Sequence, residues 1–120
     1  MQEKRISVRT GLLGVDATVS LNNGVDWYEI VAKDISDGGL SFTANVKIEQ
    51  NAIILLKGTV SDVAKKVDIS GKIQVMFAGT TQDGQLLYGV KFLGMSKGQH
   101  TTLSVFIEKM VTKFPPLLLQ

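Results

Sequence analysis

The chain contains no cysteine, which excludes disulfides, thiolate nucleophiles and thiolate metal sites. Its single histidine, His100, is too little for a multi-histidine metal centre. No nucleophile–histidine pair, P-loop or metal-ligand cluster is present in the pattern of residues, so an enzyme is not expected. The longest strongly apolar run, Ala52 to Leu56, is far too short to cross a bilayer. The opening Met1-Gln2-Glu3-Lys4-Arg5 lacks the apolar stretch of a secretory leader. A net charge of +2 without strong clustering gives no reason to expect a DNA or RNA partner. These absences lead to the expectation of a cytoplasmic chain with no membrane span, no metal and no cofactor.

What is present is enough for one core. In 120 residues, 44% are hydrophobic, which matches a single ordinary domain and not a disordered chain. From residue 13 to residue 21, Leu13, Val15, Ala17, Val19 and Leu21 alternate with polar or small residues, as in a half-buried antiparallel strand. Asn22-Asn23-Gly24 is a hairpin signal. A second strand is expected over about 26–33, followed by a polar corner at Asp34-Ile35-Ser36-Asp37-Gly38-Gly39 and a short strand bearing Leu40 and Phe42. Residues 44–51 read as a connection whose Val46 and Ile48 cover the core. Ala52 to Leu56 reads as a fully buried strand continuing toward Val60.

From Lys65 to Phe77 every second residue from Val67 is apolar or glycine, giving one long strand with a bend at Gly71 and Phe77 in the inward row. Asp83-Gly84 is another hairpin signal, and Leu86 to Phe92 forms the last strand. Ser96 and Gln99 have the spacing of a capping box. Leu103, Phe106, Ile107, Met110, Val111 and Phe114 then recur with helical period, so one amphipathic helix ends at Pro115-Pro116. His100 falls off that apolar stripe and is expected in solvent. The apolar tail Leu117-Leu118-Leu119 is expected to fray or to lie on the barrel, with a subunit contact as the other use. Six or so antiparallel strands and a closing helix point to a small barrel or sandwich.

Two clusters carry chemistry. Arg5 and Arg9 are four residues apart and share a side whether the segment is helical or extended; extended, their Cα atoms stand about 13 Å apart. Asp34, Ser36 and Gly39 put a carboxylate, a hydroxyl and a flexible glycine within six residues, a combination that suits a ligand with amide-like edges and anionic oxygens. Taken alone, each cluster also reads blandly, as a solvated basic tail and as a plain turn.

Together, Arg5-x-x-x-Arg9 ahead of the first strand and Asp34-x-Ser36-x-x-Gly39 further on resemble the RxxxR and [D/N]xSxxG signature of the PilZ domain family. Gly89-Val90-Lys91-Phe92 and the C-terminal helix are similar to that family's closing elements, and the resemblance covers about residues 4–113. It implies a mostly β fold, a six-stranded antiparallel barrel with one C-terminal α-helix. It also implies a non-catalytic receptor for cyclic di-GMP, held between the arginine segment and the barrel surface, with a conformational change as output. The implied divisions are an arginine-bearing ligand-clasping segment at 1–11, the barrel with its helix at 12–114, and a tail at 115–120.

Carried onto this sequence, the ligand-binding residues are Arg5, Arg9, Asp34, Ser36 and Gly39, with Lys4, Gly38 and Gly89 as additional candidates. Arg5 and Arg9 would take guanine faces and edges and the phosphates, because a planar guanidinium fork matches both. Asp34 would accept from a guanine N–H edge. Where many relatives have a tryptophan, this chain offers Val75 with Met76 and Phe77 beside it. The expected partners are cyclic di-GMP and an unidentified downstream protein, with a homodimer left open. The alternative is a PilZ-type adaptor that acts through protein contacts without nucleotide, and a third reading is a small barrel for single-stranded nucleic acid.

Overall fold

The computed structural model describes residues 5–8, 12–114 and 118–119. Along the chain run β1 (Arg5–Ser7), β2 (Gly14–Ser20), β3 (Tyr28–Ser36), β4 (Gly39–Ala44), β5 (Ile53–Ser61), β6 (Lys66–Asp68), β7 (Gly71–Thr80), β8 (Leu86–Phe92), α1 (Lys97–Lys113) and β9 (Leu118–Leu119). Hydrogen bonding joins β2-β5-β7-β8-β4-β3 in that order, and β3 returns to β2 through Thr18↔Glu29 and Val19↔Tyr28. Those six antiparallel strands close a barrel, which removes the free edges that an open sheet would expose. The expected fold is therefore the observed one.

The barrel is filled by the alternation the sequence displays. Ala17, Val19, Ile35, Leu40, Phe42, Ile54, Leu56, Val60, Ile73, Val75, Tyr88 and Val90 are all buried. Each large aliphatic side chain of this kind contributes about 1.5–3 kcal/mol by leaving water. The connection after β4 lies over one end, with Ile48 buried and Val46 partly so. Tyr88 holds it there: its hydroxyl donates to the Val46 carbonyl at 3.0 Å and accepts from the Ile48 N–H at 2.9 Å.

The helix is nucleated as expected. Ser96 accepts from the Gln99 backbone N–H at 3.1 Å, and the Gln99 side chain reaches back to the Ser96 N–H. The Gln99 amide also donates to the Ser70 carbonyl at 3.0 Å and to Asp68, which ties the start of α1 to the β6–β7 turn. Leu103, Phe106, Ile107 and Met110 bury the apolar stripe, and Val111 and Phe114 pack partly against the same core.

Several expectations need correction. The second strand does not stop at residue 33: β3 runs to Ser36 and β4 begins at Gly39, so the polar corner is mostly strand and only Asp37 and Gly38 turn. Ala52 to Leu56 is not buried on both sides; Ile54 and Leu56 face inward while Ile53 is 59% exposed. Leu21 lies beyond β2 and is exposed. The long strand from residue 65 is two strands. β6 pairs with the end of β5 and β7 with its start, and the chain crosses between them at Gly71, whose φ is +151°. Phe77 does not belong to the inward row, because a β-bulge between Val75 and Phe77 inserts Met76 and reverses the alternation, leaving Phe77 54% exposed.

Candidate functional site

Arg5 adopts the extended form of the two that spacing allowed. β1 runs antiparallel to β3, with Arg5↔Ser36, Ile6↔Ile35 and Ser7↔Asp34 in register. Ile6 is fully buried and anchors the strand, so the side chains flanking it, Arg5 and Ser7, are half-buried at the surface. On its other edge β1 pairs with β9 through Arg5↔Leu119 and Ile6↔Leu118. The tail thus supplies a strand at 118–119. Lys4 and Arg9 lie outside the described residues.

A row of side chains crosses the next four strands on the outer face. Asp34 on β3 is opposite Ser41 on β4, Ser41 is opposite Gly89 on β8, and Gly89 is opposite Phe77 on β7. Bulges on the two flanking strands set this row. Lys33 is the extra residue in β3 and Met76 the extra residue in β7. Without the second bulge Phe77 would point into the barrel. Gly89 leaves a trough in the middle, about 10 Å across from Ser41 to Phe77 at ordinary strand spacing.

The result is a groove of about 380 Å³ lined by Arg5, Asp34, Gly38, Ser41, Met76, Phe77, Gly89, Val90 and Lys91. At one end Asp34 is shared. One carboxylate oxygen accepts from the Arg5 guanidinium in a close ion pair, and the other accepts from the Ser41 hydroxyl at 2.6 Å. At the other end the Phe77 ring occupies the space that a side chain at Gly79 would fill, and Met76 lies beside it, 48% exposed. The groove therefore offers a guanidinium, a carboxylate, a hydroxyl, an apolar ring and an ammonium around a bare floor. These groups complement a planar base with N–H donors joined to an anion.

Ser36 and Gly39 are buried and do not line the groove. Ser36 builds the turn instead: its hydroxyl accepts from the Gly38 and Gly39 N–H groups, both at 3.1 Å, and donates to the Gly39 carbonyl at 3.3 Å. Gly39 is required by proximity, since a Cβ there would stand 2.0 Å from the Val90 carbonyl oxygen. The Gly38 carbonyl then accepts from the Phe92 N–H at 2.9 Å, locking the turn to β8. Asp37 faces the helix, where Ser104 donates to its carboxylate at 3.3 Å and His100 Nε2 stands 3.8 Å away. His100, expected in solvent, is thus half-exposed beside a carboxylate.

Of the sequence candidates, Arg5, Asp34, Gly38 and Gly89 come together at the groove. Ser41, Met76, Phe77 and Lys91 join them, and none of these four was selected from the sequence as a ligand contact. Ser41 could have been found as the outward residue opposite Asp34 once the short turn was placed. Phe77 could not, because its facing depends on the bulge. A second hollow of about 460 Å³ on the far side of Asp34 shares Asp34 and Ser41 and is bounded by Lys33 and the β7–β8 loop. A roomier hollow, about 700 Å³, lies along α1 at Val105, Phe106 and Met110 and contains none of the candidates. Among the described residues, no group of acidic or histidine side chains could hold a metal, and no helix is long and apolar enough to cross a membrane.

The PilZ domain family model matches residues 2–109. No curated protein sequence matches the chain. Among solved structures, it is similar to the Bacillus subtilis inhibitor of motility MotI/DgrA, with a TM-score of 0.79 at 10% identity over 95% of this chain and 52% of that one. It is similar to Klebsiella pneumoniae MrkH in complex with c-di-GMP, with a TM-score of 0.76 at 13% identity over 97% and 54%. Escherichia coli YcgR in complex with c-di-GMP gives a TM-score of 0.72 at 12% identity over 97% and 48%. The chain spans about half the length of these structures. At such identities the likeness establishes the fold.

Proposed function

This chain belongs to the PilZ domain family, and on that premise we propose that it is a non-catalytic receptor for cyclic di-GMP. The observation that carries the reading is the outward row Asp34–Ser41–Gly89–Phe77 with the Arg5 guanidinium brought to its Asp34 end by β1. One guanine sits over Gly89, its N–H edge toward Asp34 and its face beside Phe77. Arg5 exchanges the carboxylate for a phosphate, and Arg9 joins it from the arginine-bearing segment 1–11. Asp34 would repel a phosphate, so the base and not the backbone of the ligand lies against it. Ser36 and Gly39 act by holding the turn that presents Gly38. MrkH and YcgR, which share the fold, have been solved with this ligand.

The energies are adequate. Micromolar affinity corresponds to about −8 kcal/mol. Charge-assisted bonds contribute about 1.5–3 kcal/mol each, and stacking of a base on an aromatic ring about 1–3 kcal/mol. Transfer of the Arg5 guanidinium from Asp34 to the ligand changes the surface beside β1 and provides an output that a downstream protein can read. The test is titration calorimetry with cyclic di-GMP, with GTP and GMP as controls, which also gives the stoichiometry. Ligand at 100 times its dissociation constant should stabilise the fold by about 2.7 kcal/mol. No heat and no thermal shift would overturn the receptor reading in favour of the adaptor.

A further inference from the structure

We infer that Lys91 is the capture cation of the groove, the residue that draws the anionic ligand in before Arg5 is released to it; this rests on the cyclic di-GMP reading above. Arg5 and Asp34 are ion-paired and cancel each other at one end of the groove. Lys91 lines the same groove and, among the described residues, forms no ion pair. Among the described residues that line the groove, the uncompensated positive charge is therefore the Lys91 ammonium. A ligand with two phosphates approaching the groove meets that charge while the guanidinium is still engaged.

Placement makes the charge effective. Lys91 is on β8, a strand paired on both sides, with Gly39 opposite it on β4 and Gln74 opposite it on β7. The next residue, Phe92, is hydrogen-bonded to the Gly38 carbonyl, so Lys91 is fixed beside the turn. Gly39, opposite it on β4, and Gly89, on the groove floor, have no side chains to screen the ammonium. Gly89 is two residues away on the same face, about 7 Å along the strand. An ammonium is a compact charge on a flexible stem, suited to following a phosphate rather than holding it in one geometry. Once a phosphate is near, it competes with Asp34 for the guanidinium, and Asp34 becomes available to guanine N–H donors. Lys91 accordingly governs association, whereas Arg5 governs residence.

The experiment is stopped-flow binding of a fluorescent cyclic di-GMP analogue to the full chain, from about 50 mM to about 300 mM salt, a range over which exposed charges become screened. For wild type, the association rate should fall with salt. Lys91→Ala should lower that rate about tenfold at low salt and flatten its salt dependence, while dissociation changes little. Lys91→Arg should restore both, and Lys47→Ala, on the exposed connection after β4, should behave as wild type. Equal association rates and equal salt slopes for wild type and Lys91→Ala would overturn the inference while leaving the receptor reading in place. Failure of wild type to bind would overturn both. Unchanged thermal melting of Lys91→Ala shows that any loss is not one of folding.

Discussion

The Phe77 ring occupies the side-chain space of Gly79: a Cβ at position 79 would come within 2.8 Å of the ring's Cζ and 3.1 Å of its Cε1. Glycine at 79 is what allows the ring to take this position beside the groove. Gly79→Ala should lift the ring and weaken cyclic di-GMP binding. Phe77→Ala should weaken it by about 1–3 kcal/mol, or roughly 5- to 150-fold, by removing a stacking face. Because Phe77 is 54% exposed, its truncation should scarcely change the melting temperature. Calorimetry paired with thermal melting separates the two effects, and an unchanged dissociation constant for Phe77→Ala would remove the ring from the site.

Asp34 stands between Arg5 and Ser41, and its removal should cost little in folding and much in binding. The ion pair is near the surface, so Asp34→Ala should cost about 0–1 kcal/mol of stability in urea denaturation. Ligand affinity should fall at least tenfold, since nothing else described in the groove accepts from the donor edge of guanine with a full charge. Ser41→Ala should give a smaller loss of affinity, about 1 kcal/mol, by leaving the carboxylate less well held. If Asp34→Ala bound guanine ligands as tightly as wild type, the proposed orientation of the base would be wrong.

Two glycines fail for different reasons. Gly39→Ala drives a methyl into the Val90 carbonyl oxygen at 2.0 Å, next to the site. Gly58→Ala drives one into Ala17 and the Asp16 carbonyl at 2.6 Å, on the β2–β5 side of the barrel. Both should destabilise the fold by about 1–3 kcal/mol, as overpacking does. At a temperature where both remain folded, only Gly39→Ala should also lose ligand, because it displaces the Gly38 turn. Equal dissociation constants for the two variants would contradict that division.

Tyr88 tests the core alone. Its hydroxyl bridges Val46 and Ile48, and Tyr88→Phe leaves a buried Ile48 N–H without its partner. The expected cost is about 1–3 kcal/mol in chemical denaturation with unchanged affinity for the ligand.

How much of this was readable from residues alone follows from the range over which each interaction acts. The mostly β class, the helix with its Ser96 and Gln99 cap, and the inward rows apart from Leu21 and Phe77 were legible, because periodicity and capping are local, whereas the choice of a barrel over a sandwich came through the resemblance to a family. The resemblance put Arg5 and Asp34 at one site with a ligand between them; the structure sets the Arg5 guanidinium directly against that carboxylate, a contact the sequence did not announce, while Arg9 lies outside the described residues. The split of the long strand into β6 and β7 was legible only as a bend at Gly71, since which strand each half pairs with is decided by β5.

The sequence by itself determined which side chains needed burial and which residue types a phosphate-bearing guanine ligand would require. Tertiary structure decided which of them share a surface. A single bulge at Met76 turns Phe77 outward, and strand register alone lines up Asp34, Ser41, Gly89 and Phe77 from four separate segments. Register is fixed by pairing between distant strands and by the volume of the core they enclose, and neither is written in the local order of residues.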